Sequence, residues 1–250
     1  VFMALILLDY EWRTNQKKVT VHSNQKRRWH GKWFDVSALF AIYVRKMPIC
    51  LSGKNWKSKK QWIRERKRRC ACVKLFHLSD LHIGKMLNGY SLRESQKNAF
   101  LQILKYAEEE KPDTILICGD IYDKSVPAGE AYTLFDWFLT ELSGRCPETE
   151  ILIIAGNHDS PERLAYGASF LARHRIHIAA LPPADRTEYL KQVTLTDEWG
   201  PVHFYLVPFI RPGHVRHLFD TNGYTDAFQK LLARETIHKQ ERNVVLAHQF

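Results

Sequence analysis

Asp80 and His82 stand two residues apart in Lys74–Gly84 (KLFHLSDLHIG), just past a short apolar run. A carboxylate and an imidazole so placed are commonplace on a surface loop, and they gain meaning only because the arrangement returns. TILIC (114–118) runs into Gly119, Asp120 and, three residues on, Asp123; ILIIA (151–155) runs into Gly156, Asn157, His158 and Asp159; VVLA (244–247) runs into His248. Oxygen and imidazole donors without thiolate suit Mn2+, Fe2+ or Zn2+ better than soft metals. Asp80, His82, Asp120, Asn157 and His248 are more ligands than one ion takes from a protein with a water position left open. Two ions about 3.5–4 Å apart, sharing a carboxylate, would deprotonate a water for in-line attack on phosphorus. The central loop makes Asp120 the natural shared group. His158 then reads as proton donor to the leaving oxygen, with Asp159 orienting it.

Such ligands must be positioned by buried strands. Each apolar run is short, continuous and bounded by polar residues, as in strands covered on both faces. Ligands at the C-terminal ends of parallel strands converge on one crevice of an α/β sheet. Between the runs lie helical patterns. Ser91 and Glu94 form an S-x-x-E capping box ahead of an apolar stripe, Phe100, Ile103, Leu104 and Ala107, ended by Lys111-Pro112-Asp113. Ala131, Leu134, Phe135, Phe138, Leu139 and Leu142 make the strongest stripe in the chain. Ser160-Pro161 predicts a helix running to about Arg173. From Gln192 the period becomes two, predicting an antiparallel pair at 193–196 and 202–208, then a helix at 226–234. The order strand, ligand loop, helix, repeated three times, is an α/β signature.

The 250 residues carry a net charge of +10, but unevenly. Residues 1–72 hold 18 Lys/Arg against 4 Asp/Glu, so the remainder is net −4 and the basic character belongs to the first segment alone. That segment also holds five of the seven tryptophans and ends in KNWKSKKQWIRERKRR (54–69). Basic residues interleaved with aromatics could bind nucleic acid. The favoured expectation is a disordered or non-native extension over 1–72, with a domain over 73–250. Five cysteines without a C-x-x-C pair predict neither a disulfide framework nor a zinc site, and a reducing compartment is the default. The apolar runs 1–8 and 37–44 fall well short of the roughly 20 residues of a membrane span, so a soluble, cytoplasmic chain without membrane partners is expected.

Asp80-x-His82, Gly119-Asp120-x-x-Asp123, Gly156-Asn157-His158-Asp159 and His248 together resemble the first four motifs of the calcineurin-like metallophosphoesterase superfamily. HLSDLHIGK (77–85), GDIYDKSVPAGEA (119–131) and GNHDSPERL (156–164) resemble, more narrowly, the SbcD family of nuclease subunits. The resemblance covers 73–250 and none of 1–72. It implies a four-layer α/β sandwich, two mixed β-sheets flanked by helices. It also implies two Mn2+ ions, one on Asp80, His82 and Asp120, the other on Asp120, Asn157 and His248. His158 would act on the leaving group with Asp159 behind it, and Asp123 would support. The implied activity is ATP-dependent 3′-to-5′ exonuclease and endonuclease cutting of DNA ends and hairpins in replication, recombination and repair. The implied partners are DNA, an SbcC-type ATPase and a second copy within a heterotetramer. The superfamily's fifth motif, a glycine-led histidine pair, does not occur before Phe250, so the expectation is a domain incomplete at its C-terminus and weak or inactive by itself. Lys85, Arg93, Lys97 and Lys124 are the candidate DNA contacts. The rival readings are a phosphoesterase for small-molecule or protein esters, sharing the metal core, and a nucleic-acid-binding module acting through the basic arm. Histidines outside the motifs, His203 and His238 among them, are expected to be structural or surface groups.

Overall fold

A computed structural model describes residues 72–250, together with the backbone of four short strands before them. These are β1 (Phe2–Leu7), β2 (Lys26–Trp29), β3 (Lys32–Asp35) and β4 (Met47–Pro48). Apart from these strands, the expectation of a disordered or non-native extension falls outside the described residues.

The first ligand motif follows β5 (Lys74–Leu78). A small hairpin, β6 (Met86–Leu87) with β7 (Tyr90–Ser91), leads into helix α1 (Arg93–Glu110). Next come β8 (Thr114–Cys118), α2 (Gly129–Arg145) and β9 (Glu150–Ile154). The chain continues through β10 (Ile176–Ala179), β11 (Lys191–Asp197), β12 (Gly200–Val207), α3 (Tyr224–Ala233) and β13 (Arg242–Gln249).

Two mixed sheets result. One has the order β10-β9-β8-β5-β4, parallel except for β4; the other has the order β1-β13-β12-β11, with only β12 and β13 parallel. Because side chains alternate across a strand, each sheet feeds two cores. Leu75, Leu116, Cys118, Leu152 and Ile154 meet Phe204, Leu206, Val244 and Leu246 between the sheets. Phe76, Leu78, Ile115, Ile117, Ile151 and Ile153 face α1 and α2. Tyr205, Val207, Val245 and Ala247 face α3 on the far side. The layers are therefore helix, sheet, sheet, helix, the α/β sandwich expected. The alternation also turns His248 inward, in step with Val244 and Leu246, toward the first sheet.

The whole stripe of α2 is buried as expected, and Tyr132 and Trp137 pack against its margin. Three local expectations are corrected. The capping box does not form: α1 starts after Leu92, and Ser91, held in the β7 strand, only accepts the N–H of Arg93 at 3.3 Å. The helix predicted over 161–173 breaks into Pro161–Leu164 and Ala168–Leu171, separated at Gly167 with φ 74°, and ends in a 3-10 turn. Cys72 is disulfide-bonded, a link that the odd cysteine count does not signal, whereas Cys118 and Cys146 are buried free thiols. Among the described residues no helix is long and apolar enough to cross a membrane.

One buried ion pair ties the second sheet to the start of the first. Arg242 donates to both carboxylate oxygens of Asp197, at 2.8 and 2.5 Å, and the N–H of Val73 adds a third bond at 2.8 Å. Asp197→Ala would remove the carboxylate that faces the buried Arg242 guanidinium and is expected to cost about 3 kcal/mol, read by chemical denaturation at neutral pH. Burial pushes the Asp197 carboxyl up, but Arg242 and the N–H groups of Val73 and Trp199 outweigh it and hold the group below its ordinary value. A carboxyl depressed in the folded state contributes stability above its unfolded pKa, about 3.9, and loses it as pH falls through the folded value. The gap between wild type and variant should therefore be flat from neutral pH to about 5 and shrink below about 4. A gap that held constant in strong acid would show that the ionised pair is not its source.

Candidate metal centre

The site lies where the C-terminal ends of β5, β8 and β9 meet the end of β13. Four backbone bonds join the loops after β5 and β8: the N–H groups of Asp80, His82 and Ile83 donate to the carbonyls of Gly119, Asp120 and Ile121, and the N–H of Asp123 donates to that of Ile83. The loops are forced into tight conformations. Asp80, His82 and Asp120 all have left-handed φ, 54°, 42° and 50°. Asp and His tolerate that region better than most residues, and such strain collects where the surroundings enforce it.

Asp120 is at the centre and almost fully buried. Its Oδ1 accepts the N–H of His158 at 2.9 Å, while its Oδ2 lies 3.4 Å from His248 Nε2 and 3.8 Å from His82 Nε2. Burial pushes this carboxyl up, but the His248 contact, the His158 N–H and the neighbouring imidazoles hold it below the ordinary range. His82 presents Nε2 to Asp80 Oδ1 at 3.9 Å and turns Nδ1 toward Asp123 Oδ1 at 3.4 Å, close enough to feel its charge but not aligned as a hydrogen bond. Burial pushes the His82 imidazole down, against the pull of Asp120, and Lys85 and His158 add to the depression. His248, fully buried, donates from Nδ1 to the Cys118 carbonyl at 2.9 Å. Its Nε2 points at Asn157 Oδ1, 3.2 Å away, and at Asp120.

This donor set is one that a cation completes. Burial pushes the His248 imidazole down, but Asp120 and the Cys118 carbonyl outweigh it and hold the ring above its ordinary value, so without a cation Nε2 keeps a proton for Asp120. With that proton gone, Nε2, Asn157 Oδ1 and Asp120 Oδ2 are three converging donors for a cation. Two clusters of closely spaced ligand atoms result, Asp80–Asp120–His248 and His82–Asp120–His158, and Asp120 belongs to both. The residues therefore fit a pair of divalent ions sharing one carboxylate. Asp80 lies beside His82 as well, Oδ1 to Nε2 3.9 Å, and His158 borders the donors around His82.

The sequence-predicted residues Asp80, His82, Asp120, Asp123, Asn157, His158 and His248 all come together. Asp159 has a different task from the one expected. Its carboxylate accepts the N–H groups of Ile121, Tyr122 and Gly156 at 3.2, 2.9 and 2.8 Å, bracing the second loop against the third. Burial pushes this carboxyl up despite those bonds. What orients His158 is the Asp123 carbonyl, 2.9 Å from Nδ1, and the residue is exposed. Nor do the four basic residues form a free rim. Arg93 pairs with Glu130 at 3.4 Å, Lys97 sits over the Trp137 ring, and Lys85 is 4.0 Å from Asp123, so Lys124 alone is exposed without such an engagement among the described residues.

Two positioning residues escape a motif reading. Gln96, buried in α1, donates to the carbonyls of Leu81 and His82 at 3.1 and 2.7 Å and accepts the N–H of Gly84. The Ser79 hydroxyl donates to Asp80 Oδ2 at 2.6 Å and also lies 2.9 Å from the Cys118 carbonyl. A glutamine at the head of an apolar stripe was the available signal for the first.

Gly156 explains why the third motif opens on glycine. A Cβ there would sit 2.1 Å from Asp120 N and 2.2 Å from Asp120 Oδ1. Gly156→Ala is expected to cost about 3 kcal/mol through overpacking and to displace Asp120. Thermal unfolding together with metal titration reads both effects, and an alanine variant binding metal like wild type would show that the loops are looser than this geometry.

A family model for calcineurin-like phosphoesterases matches residues 73–249. The chain belongs to that family, whose members use divalent metals. Its similar curated relatives include proteins named as the SbcD component of the SbcCD nuclease from Staphylococcus epidermidis and Staphylococcus saprophyticus, each 32% identical over 181 residues, 70% of this chain and 46% of theirs. The chain thus spans less than half the length of these relatives.

Proposed function

We propose that this protein is a metal-dependent phosphodiesterase that cuts DNA ends and hairpins in replication, recombination or repair, as the cytoplasmic nuclease subunit of a complex with an SbcC-type ATPase. The observation that carries the hydrolase reading is the sharing of Asp120 by both ligand clusters. The DNA substrate and the ATPase partner rest on the names of the staphylococcal relatives.

Asp80, His82, Asp120, Asn157 and His248 would hold two Mn2+ ions, which when bound supply Lewis acidity and an activated water. The chain's own contribution is positional. The Cys118 carbonyl sets the ring orientation of His248, as such partners do for ligand imidazoles, and the Asp123 carboxylate lies 3.4 Å from His82 Nδ1. Gln96 and Asp159 fix the loops. His158, anchored at Nδ1, carries in its charged form a proton on Nε2 to give to the leaving oxygen. The engagement of Arg93 and Lys97 elsewhere favours a second reading, a phosphoesterase for small esters, because it thins the basic rim.

A paired assay separates them: Mn2+-dependent cleavage of a hairpin DNA against bis-p-nitrophenyl phosphate. Efficient hairpin cleavage is expected of a chain continued through the glycine-led histidine pair, and weak cleavage or none of this chain by itself. Hydrolysis of the small diester with the hairpin left intact would overturn the nuclease reading and leave the hydrolase.

A further inference from the structure

A second group of metal-type donors lies away from the catalytic cluster. We propose that His203, His238 and Glu241 form an independent site for a borderline divalent cation such as Zn2+, on the outer face of the second sheet at the end opposite the metal centre. Their ligand atoms all lie within 4.8 Å of one another. His203 Nε2 is 2.5 Å from Glu241 Oε2, and His238 Nδ1 is 3.7 Å from the same oxygen. The two imidazoles lie face to face with centroids 4.6 Å apart.

The scaffold beneath these donors is rigid on both sides. His203 sits on β12 in register with Thr194 and Asn243, and its Nδ1 lies 2.9 Å from the Thr194 hydroxyl and 3.0 Å from the Gln192 amide. Such partners behind a ring fix its direction. On the other side, the buried Asn243 donates from Nδ2 to the carbonyls of both His238 and Glu241, at 2.8 Å each, clamping the turn that carries them. The Tyr205 hydroxyl, 3.3 Å from Asn243 Oδ1 and 3.0 Å from the Thr236 carbonyl, holds the clamp in turn. One side chain therefore pre-positions two of the three donors. His203 is buried while His238 and Glu241 are exposed, so water can complete the shell.

Two imidazoles and one carboxylate without thiolate are a donor set for Zn2+, Ni2+ or Cu2+. On binding, Nε2 of His203 gives up the proton it shares with Glu241 and the ring carries it on Nδ1 instead. Nδ1 then donates to the Thr194 hydroxyl, with the Gln192 amide turned to present its oxygen. The site is separate from the catalytic one. His203 pairs with Asn243, five residues before His248 along β13, a separation of roughly 16 Å at the rise of a strand.

The test uses the protein carrying Asp120→Asn, which weakens the catalytic centre, and titrates it with Zn2+ alone against a chromophoric chelator. One ion per chain is expected, and adding His238→Ala should remove it or raise its Kd at least tenfold. His238 is exposed, and an unchanged metal-free melting temperature will confirm that the fold is kept. The readout is the difference between the two proteins, so residual binding at the catalytic centre cancels. Cu2+ bound in the same way should show hyperfine coupling to two imidazole nitrogens, falling to one with His238→Ala. Equal stoichiometry and Kd in the two proteins would overturn the site and leave the His203–Glu241 contact as a structural hydrogen bond.

Discussion

Asp120→Asn is expected to empty both metal positions at once. The substitution keeps the shape of the side chain and can still accept the N–H of His158, which Oδ1 takes at 2.9 Å. It removes the one charge that both ligand clusters share, and Oδ2 is the atom facing His82 and His248. Metal per chain after dialysis against Mn2+ should fall from two toward zero, and hydrolysis of bis-p-nitrophenyl phosphate should fall by about 10⁶ or more, the low end of what enzymes achieve. The metal-free variant should be at least as stable as wild type, because buried ligands arranged for an ion cost stability in its absence. That combination distinguishes a lost site from a lost fold. Two ions retained at wild-type affinity would sink the assignment of Asp120 as the shared ligand.

Much of this centre was legible because buried parallel strands are written as continuous apolar runs, and the residues following such a run fall at one edge of the sheet. Asp80, Asp120, Asn157 and His248 could therefore be grouped before any distance was known. The α2 stripe was legible for the same reason, since six apolar residues at helical spacing must all be covered. What failed were features decided by contacts across the fold. Asp159 adjoins His158 in sequence, yet its carboxylate turns back to three N–H groups 35 or more residues away or across the loop. β10 is four residues with an imidazole in the middle, too short to stand out, and exists because it pairs in parallel with β9. Gly167 divides the helix predicted after Pro161 through a single left-handed φ. His203 and His238 are 35 residues apart, and only the return of the chain to β13 brings them together.

His158→Ala should separate proton transfer from metal binding. Its ring lies edge-on to that of His82, with centroids 4.9 Å apart, so it borders the ligands. Yet His158 is exposed where Asp120 and His248 are buried, and its tether is the Asp123 carbonyl rather than a carboxylate. An exposed imidazole anchored at Nδ1 suits a group that hands over a proton, and losing a general acid costs roughly 10²–10⁴ in rate. The variant should bind Mn2+ with nearly wild-type stoichiometry and lose activity in that range. The loss should be smaller on esters whose leaving group needs no proton, such as p-nitrophenolate, than on DNA. Added imidazole should restore part of the rate, since the ring faces solvent. If metal is lost along with activity, His158 is a ligand, as its place beside His82 and Asp120 allows. The proton donor must then be sought elsewhere on the rim.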